Sequence, residues 1–242
     1  MAKSHVMLLL DVPPLTYTEW CALQRKLVEQ RAAERCADLL MFAEHEPVFT
    51  LGRTTKPWHW GGEAERLRAL GYNVYPVERG GSVTYHGPGQ IVVYPILRLR
   101  EYCPGPKLYV RQLEEVIIKV LADWGIQGKR VDRRPGVWVD PVTPTTRSLA
   151  KIAAMGVRIT RGITMHGFAL NITVNLTPFS HIIPCGIEGV EVTSMAQLLP
   201  HPPDLAQVRE RIVTHFARIF EVEWIRARAQ VDRGGEITIL LG

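Results

Sequence analysis

The sequence predicts an α+β fold, in which a mixed and largely antiparallel sheet packs with helices. Short β-type segments outnumber helical ones, and they come in blocks. Strict alternation of strands and helices would instead indicate a doubly wound parallel sheet. Because 242 residues suffice for one hydrophobic core, we expect a single domain over residues 1–220, with residues 221–242 as an appendage of the same domain.

Three segments show helical spacing with one apolar face each. They cover residues 17 to about 35, 107–124 and 205–220. Asp204 precedes the third segment and is suited to cap its first turn, while Gly125 follows the second segment and is suited to end it.

The segments between these helices have the length and composition of strands. They are residues 6–10, 39–43, 48–51, 74–77, 91–97, 137–139, 152–159 and 168–174. Residues 129–134 are basic and predict a solvated loop or, alternatively, a docking patch for an acidic protein partner. Residues 140–147 are rich in Pro and Thr and predict an exposed loop, and two further strands are expected around Gly234 and Gly235.

Composition and charge exclude several classes of protein. A net charge of +5 without a basic run argues against nucleic-acid binding. No apolar stretch approaches the roughly 18 residues that a transmembrane helix needs, and the start Met-Ala-Lys-Ser-His does not resemble a leader. The four cysteines are widely spaced, which disfavours both a disulfide framework and a thiolate metal site. We therefore expect a cytoplasmic protein. We also expect a monomer.

The segment from Arg79 to Gln90, with the sequence Arg-Gly-Gly-Ser-Val-Thr-Tyr-His-Gly-Pro-Gly-Gln, combines four glycines with titratable side chains. Glycines allow a ligand to approach the backbone closely. A hairpin with glycine turns would explain the glycines but not the gathered polar groups. The segment matches neither of the two common glycine-rich nucleotide-binding motifs.

Three further segments carry unusual residues. Lys151 begins an otherwise apolar run, residues 151–157, where a lysine would be costly to bury unless it reaches solvent at the strand end. Residues 165–171 read Met-His-Gly-Phe-Ala-Leu-Asn. Cys185 lies between Pro184 and Gly186, which predicts a tight turn. Backbone N–H groups of such a turn are expected to point at the space beside the sulfur, as an oxyanion of acyl transfer requires. Taken alone, Cys185 could equally be a small buried apolar residue.

Together these segments resemble the octanoyltransferases of lipoate biosynthesis, the lipoate-protein ligase B family. The resemblance rests on residues 79–95, on Lys-Ile-Ala-Ala-Met-Gly from Lys151, on residues 166–171, on Pro-Cys-Gly-Ile from Pro184, and on residues 45–53. It implies the α+β catalytic domain that biotin and lipoate ligases share. It also implies transfer of an octanoyl or lipoyl group from acyl carrier protein to a lysine of a lipoyl domain. The acceptors would be the lipoyl domains of 2-oxoacid dehydrogenase complexes and the glycine cleavage H protein.

The resemblance also implies roles for particular residues. Cys185 corresponds to the nucleophile that carries the acyl group as a thioester, and Lys151 to the lysine that favours its thiolate form and acts as general acid and base. Neither ATP nor a metal would be required. The residues expected to bind the acyl substrate are Arg79, Gly80, Gly81, Ser82, Val83, Thr84, Tyr85, His86, Ala154, Met155, Gly156, Gly167, Phe168 and Ala169. His45, Tyr94 and His166 are further candidates, for which a structural hydrogen bond at the pocket rim is the alternative.

Two other functions are open at this point. An ATP-dependent lipoate or biotin ligase would use a similar Arg-Gly-Gly loop but would not require both Lys151 and Cys185. A non-catalytic carrier-binding protein would require neither residue.

Overall fold

A computed structural model of the chain describes residues 5–140, 149–232 and 237–241. Its main feature is a ten-stranded sheet in the order β13-β12-β1-β2-β6-β10-β9-β8-β7, with β11 beside β9. The strands of this sheet are β1 (His5–Asp11), β2 (Leu39–Ala43), β6 (Gln90–Ile96), β7 (Lys129–Val131), β8 (Arg134–Val139), β9 (Ala150–Thr160), β10 (Ile163–Asn171), β11 (Glu191–Val192), β12 (Val222–Val231) and β13 (Ile237–Leu241). A three-stranded sheet adds β3 (Val48–Leu51), β4 (Asn73–Pro76) and β5 (Val83–His86).

The large sheet is mixed and mainly antiparallel, as the sequence predicts. Its parallel pairs are β1 with β12, β1 with β2, and β9 with β11. Among the described residues, the α-helices are α1 (Tyr17–Ala32), α2 (Ala64–Ala69), α3 (Pro106–Ala122), α4 (Met195–Leu198) and α5 (Leu205–Phe220). The α+β class is therefore confirmed.

Helices cover both faces of the large sheet. On one face, α3 and α5 pack through Ile117 and Phe216 against apolar side chains such as Leu170. On the other face, α1 packs through Leu23 and Leu27. Each such side chain stabilises the fold by about 1.5–3 kcal/mol when fully buried. On the same face, the strands β6, β10 and β9 lie opposite β5 of the small sheet, and residues of all four strands line one cavity.

The structure differs from the sequence-based expectations at several points. Residues 129–134 do not form a loop, because β7 and β8 pair as a hairpin with its turn at Asp132 and Arg133. The strand β10 begins at Ile163, five residues before the predicted start, and β5 was not expected because its flanks are rich in glycine. The short elements α2, α4, β7 and β11 were also not expected.

The C-terminal residues join the large sheet. The strand β12 lies parallel to β1, and β13 pairs antiparallel with β12. A domain limit at residue 220 stays a prediction. Gly234 and Gly235, and residues 141–147 of the expected Pro- and Thr-rich loop, lie outside the described residues.

Candidate active site

A cavity of about 350 Å³ lies between the two sheets. Its floor is formed by a row of cross-strand neighbours, because Ala154 of β9 pairs with Ala169 of β10, which pairs with Val92 of β6. Two strand spacings of about 4.8 Å give this row a length of roughly 10 Å. The segment from Arg79 to Ser82 and the strand β5 form the opposite wall.

The cavity brings together nearly all of the residues singled out from the sequence. The predicted residues that line it are Arg79, Gly80, Gly81, Ser82, Val83, Thr84, His86, Tyr94, Lys151, Ala154, Met155, Gly156, His166, Gly167, Phe168, Ala169 and Cys185. Two are not brought to it. Tyr85 packs behind β5 with Phe49 and Phe179, because alternate residues of a strand face opposite sides. His45 contacts the cavity wall from behind, through Tyr94.

Lys151 and Cys185 form a close pair at the cavity. The Nζ atom of Lys151 donates a hydrogen bond to Sγ of Cys185 at 3.1 Å. Lys151 is buried, and its ammonium nitrogen lies 5.2 Å from the centre of the Trp138 ring. An aromatic face stabilises a cation at this distance. Two titratable groups from segments 34 residues apart thus share one hydrogen bond.

A β-bulge directs Lys151 towards the cavity. On β8, Val137 and Trp138 are consecutive, yet their partners on β9 are Ala153 and Lys151. The strand β9 therefore has one residue more than β8 between these pairs. Because side chains alternate along a strand, this extra residue puts Lys151 on the same face as Ala154.

Gly136 provides the space that the Lys151 side chain occupies. A Cβ atom at this position would lie 2.5 Å from Cε of Lys151 and 2.5 Å from the carbonyl oxygen of Ala153. Gly136 also has a φ of +128°, which favours glycine. Its backbone N–H donates to the Glu114 carboxylate at 2.9 Å, which fixes this segment against α3.

Cys185 lies on a short turn with left-handed backbone geometry. Its φ is +58° and that of Gly186 is +69°. The N–H of Gly186 donates to the Ile183 carbonyl at 2.9 Å, and that of Ile187 donates to the Pro184 carbonyl at 3.2 Å. These two N–H groups close the turn itself. The expectation that N–H groups of the turn point at the space beside the Cys185 sulfur is therefore wrong for Gly186 and Ile187.

Arg79 places a buried cation in the cavity wall. Its Nη2 atom donates to the Thr50 carbonyl at 2.7 Å and its Nη1 atom to the Gly80 carbonyl at 3.0 Å. Burial lowers the pKa of the Arg79 guanidinium. The Arg79 side chain has room because Gly52 and Gly156 carry no side chains. A Cβ on Gly156 would lie 2.9 Å from Cδ of Arg79.

A chain of amide groups fixes His86. Its Nδ1 atom donates to Oε1 of Gln90 at 2.6 Å, and Nε2 of Gln90 donates to Oδ1 of Asn171 at 2.8 Å. The Asn171 amide in turn donates to the Thr193 carbonyl at 2.9 Å. Burial lowers the pKa of His86 to about 4, against an ordinary value of 6.5. The imidazole is therefore neutral at physiological pH, with its Nε2 lone pair available as an acceptor.

His45 and His166 are two further buried imidazoles near His86. The Nε2 atom of His45 is hydrogen-bonded to the Tyr94 hydroxyl at 2.7 Å, and burial holds the pKa of His45 well below its ordinary value. Burial, followed by the nearby Arg79 charge, lowers the pKa of His166 to about 3. Its backbone has a φ of +58°, and its N–H donates to the Gln24 side chain at 2.8 Å.

Sequence reasoning missed several residues at this site. His59 contacts Ser82 and the Cys185 turn, Tyr17 lines the cavity, and Gly136 contacts Lys151. The dipeptide Pro135-Gly136 ends the basic segment and was the available signal for Gly136. For His59 the only signal was its aromatic surroundings, Trp58 and Trp60.

The described part of the chain contains no group of three or more His, Cys, Asp or Glu side chains arranged to hold a metal ion. Among its helices, none has the length and apolar character needed to cross a bilayer.

Comparisons with known proteins identify the family. Residues 16–217 match the family model described as the lipoyl protein ligase A/B catalytic domain. The chain belongs to this family. It is 41% identical over 209 residues to an octanoyltransferase of Thermobifida fusca, covering 85% of each chain. It is 42% identical over 233 residues to an octanoyltransferase of Acidobacterium capsulatum, covering 92% of this chain and 94% of the relative. These relatives confirm the resemblance to octanoyltransferases.

Solved structures of lipoate-protein ligases share the fold. A structure from work on a bipartite lipoate protein ligase and its E2 lipoyl domain from Thermoplasma acidophilum matches with a TM-score of 0.68 and 14% identity, covering 94% of this chain and 88% of that chain. A lipoate-protein ligase A bound with ATP matches with a TM-score of 0.64 and 15% identity, covering 94% and 90%. At these identities the similarity concerns the fold alone.

Proposed function

We propose that this protein is an octanoyltransferase of protein lipoylation. In this proposal it moves an octanoyl or lipoyl group from acyl carrier protein to a lysine of a lipoyl domain, through a thioester on Cys185. The observation that carries the proposal is the 3.1 Å contact between Lys151 Nζ and Cys185 Sγ beside the cavity between the two sheets. The octanoyltransferase relatives support the same assignment.

The first half of the reaction loads the enzyme. Lys151 takes the proton of the Cys185 thiol, and the thiolate, which is the nucleophilic form, attacks the carbonyl carbon of the donor thioester. The bond from this carbon to the donor sulfur breaks. The departing thiolate receives the proton from the Lys151 ammonium. One thioester replaces another, so no activation by ATP is needed.

The second half transfers the acyl group to the acceptor. The neutral amine of the acceptor lysine attacks the acyl carbon on Cys185, and Lys151 accepts the proton that the amine loses. The bond from carbon to Cys185 Sγ breaks and returns the thiolate beside the Lys151 ammonium. Conversion of a thioester to an amide is downhill, so this step also requires no ATP.

The cavity suits an acyl chain of about eight carbons. An extended octanoyl group is about 9 Å long, and the row Ala154, Ala169 and Val92 spans roughly 10 Å. Burial of its seven aliphatic carbons would contribute about 6 kcal/mol, as an upper estimate. We propose that the predicted substrate-binding residues that line the cavity hold this chain.

Partners and location extend the proposal. Acyl carrier protein would be the donor, and the acceptors would be lipoyl domains of 2-oxoacid dehydrogenase complexes and the glycine cleavage H protein. The basic segment 129–134 carries less free charge than its sequence indicates, because Lys129 pairs with Asp140 and Arg130 with Glu114. A cytoplasmic location and a monomeric state stay predictions.

The shared fold does not by itself separate a transferase from an ATP-dependent ligase. A ligase forms an acyl adenylate and needs no nucleophilic cysteine beside a lysine. The placement of Cys185 on a turn against Lys151 therefore favours the transferase, and equally disfavours a non-catalytic carrier-binding protein.

The decisive experiment is intact-mass analysis after incubation with octanoyl-acyl carrier protein and no ATP. The wild-type protein should gain one octanoyl group, which peptide mapping should locate on Cys185. The Cys185→Ser variant should gain none, whereas Cys36→Ser, which changes another half-buried thiol, should be loaded like the wild type. A full adduct on Cys185→Ser, or a strict requirement for ATP, would contradict the proposal.

A second variant tests the role of Lys151. Lys151→Arg retains the positive charge but cannot act as a base, because a guanidinium does not lose its proton in proteins. We expect it to lose octanoyl transfer to a lipoyl domain by about 10²- to 10⁴-fold, the usual contribution of general acid–base catalysis. Wild-type turnover by this variant would leave Lys151 with an electrostatic role only.

A further inference from the structure

We propose that His59 is a positioning residue, which holds the Cys185 turn against the cavity wall at Ser82. The ring of His59 does not line the cavity between the sheets. The inference rests on the proposed function, because it concerns how the acylated sulfur is kept in place. Three sets of contacts support it.

The first set fixes the ring of His59. The backbone N–H of Lys56 donates to Nδ1 of His59 at 3.2 Å, and a backbone N–H can only donate. Nδ1 therefore carries no proton and acts as an acceptor. The Ser82 hydroxyl, 2.6 Å from the same Nδ1, must then be the donor. This contact ties His59 to the segment that forms the cavity wall.

The second set joins His59 to the nucleophile's turn through the backbone. The N–H of Ile183 donates to the carbonyl oxygen of His59 at 2.6 Å. Ile183 begins the turn that contains Cys185, and its own carbonyl accepts from Gly186. One residue thus contacts the cavity wall with its ring and the start of the turn with its backbone.

The third contact is close packing against the end of the same turn. A Cβ atom on Gly186 would lie 2.7 Å from Cε1 of His59 and 3.1 Å from Cβ of Ser82. The absence of a side chain at Gly186 therefore allows His59 and Ser82 to meet beneath the turn. Cys185 directly precedes this point of contact.

The turn needs such support. Cys185 has left-handed backbone geometry, which is unfavourable for a residue with a side chain and persists where surrounding structure imposes it. Residues 183–187 are all partly exposed, so burial alone does not hold them. A displacement of the sulfur by about 1 Å can reduce a reaction rate by about 10²-fold. Loss of His59 should therefore slow the acylation of Cys185.

Three substitutions of His59 separate positioning from a general effect on folding. In His59→Asn, the side-chain Oδ1 can take the place of Nδ1 as acceptor for both Lys56 and Ser82. In His59→Gln, the amide reaches the position of Nε2 and does not reproduce that acceptor. We expect single-turnover acylation of Cys185 to fall by about 10²-fold in His59→Ala and His59→Gln, and by less than about tenfold in His59→Asn.

Ser82→Ala provides an independent test, because it removes a single oxygen atom. If His59 and Ser82 act as one unit, Ser82→Ala should slow acylation on its own but add little to the loss in His59→Ala. The matched control is His201→Asn, which changes an exposed histidine and should acylate at the wild-type rate. Thermal unfolding of each variant shows whether a slower acylation is explained by a loss of stability.

The outcomes distinguish this inference from the proposed function. Wild-type acylation by His59→Ala, equal rates for the Asn and Gln variants, or fully additive losses with Ser82→Ala would overturn it. Alkylation of Cys185 by iodoacetamide at fixed pH, followed by peptide mapping, requires no acyl donor. If the wild-type protein is never acylated, the proposed function fails, while slower alkylation in His59→Ala than in His59→Asn would still support the positioning role.

Discussion

Acidification should destabilise this protein through its buried histidines. His86 and His166 have pKa values of about 4 and about 3 in the folded chain, because burial disfavours the charged imidazole. In the unfolded chain both return to about 6.5. Between the two values the unfolded state binds more protons than the folded state, so the free energy of unfolding rises with pH. This contribution to stability is fully present above pH 6.5, and it is lost as the pH falls towards 4 for His86 and towards 3 for His166.

The magnitude follows from the two pKa values. At pH 5 an unfolded histidine is almost fully protonated, while His86 and His166 are almost fully neutral in the folded state. Each therefore removes about 2 kcal/mol between pH 7.5 and pH 5, since one pKa unit corresponds to about 1.4 kcal/mol. His45 acts in the same direction. A loss of about 4 kcal/mol is a large part of the 5–15 kcal/mol typical of a folded domain.

Denaturant unfolding at a series of pH values measures this effect. His86 and His166 together should lower the free energy of unfolding by about 4 kcal/mol from pH 7.5 to pH 5, and His166→Gln should show a drop smaller by about 2 kcal/mol. His201→Asn, which changes an exposed histidine, should show the wild-type slope. A flat profile, or the same slope for His166→Gln as for the wild type, would refute the reasoning.

Two further predictions concern the cavity. Gly136→Ala places a Cβ atom 2.5 Å from Cε of Lys151, so we expect octanoyl transfer to fall by about 10²-fold. The control is Gly105→Ala, where a Cβ atom meets nothing within 4 Å. Equal transfer rates for the two variants would exclude a steric role for position 136. In the wild type, rates with butanoyl, hexanoyl and octanoyl thioesters should rise by about fourfold per methylene. Ala169→Leu fills the middle of the cavity floor between Ala154 and Val92, so this rise should disappear. A chain-length profile parallel to that of the wild type would show that this row does not bind the acyl chain.

Local patterns in the sequence account for the parts of the fold that local physics decides. The helices α1 and α5 were predictable because apolar residues recur at helical spacing behind side-chain caps. Asp204 accepts from the Gln207 N–H at 2.7 Å, as its position before α5 indicates. Alternation along β5 could also have separated Tyr85 from its neighbours Thr84 and His86, had the strand itself been anticipated.

The geometry of the site was less predictable, because it depends on contacts between distant segments. The sequence shows Lys151 at the head of an apolar run, but only the pairing of β8 with β9 shows the bulge that turns it towards the cavity. Likewise, nothing local to His59 indicates that it meets Ser82 and the Cys185 turn. Such positions become visible when the strand register and the packing of the turn are known.

The same fold serves lipoate ligases, so the chemistry must come from features that the fold does not require. In the proposed mechanism these features are local departures from regular geometry. The bulge in β9 brings the ammonium of Lys151 to the cavity, Gly136 leaves room for it, and left-handed backbone at Cys185 presents the sulfur to it. Each departure is unfavourable for an isolated strand or turn. They are tolerated where surrounding contacts impose them, so substitutions that relax these contacts should reduce acyl transfer more than they reduce stability.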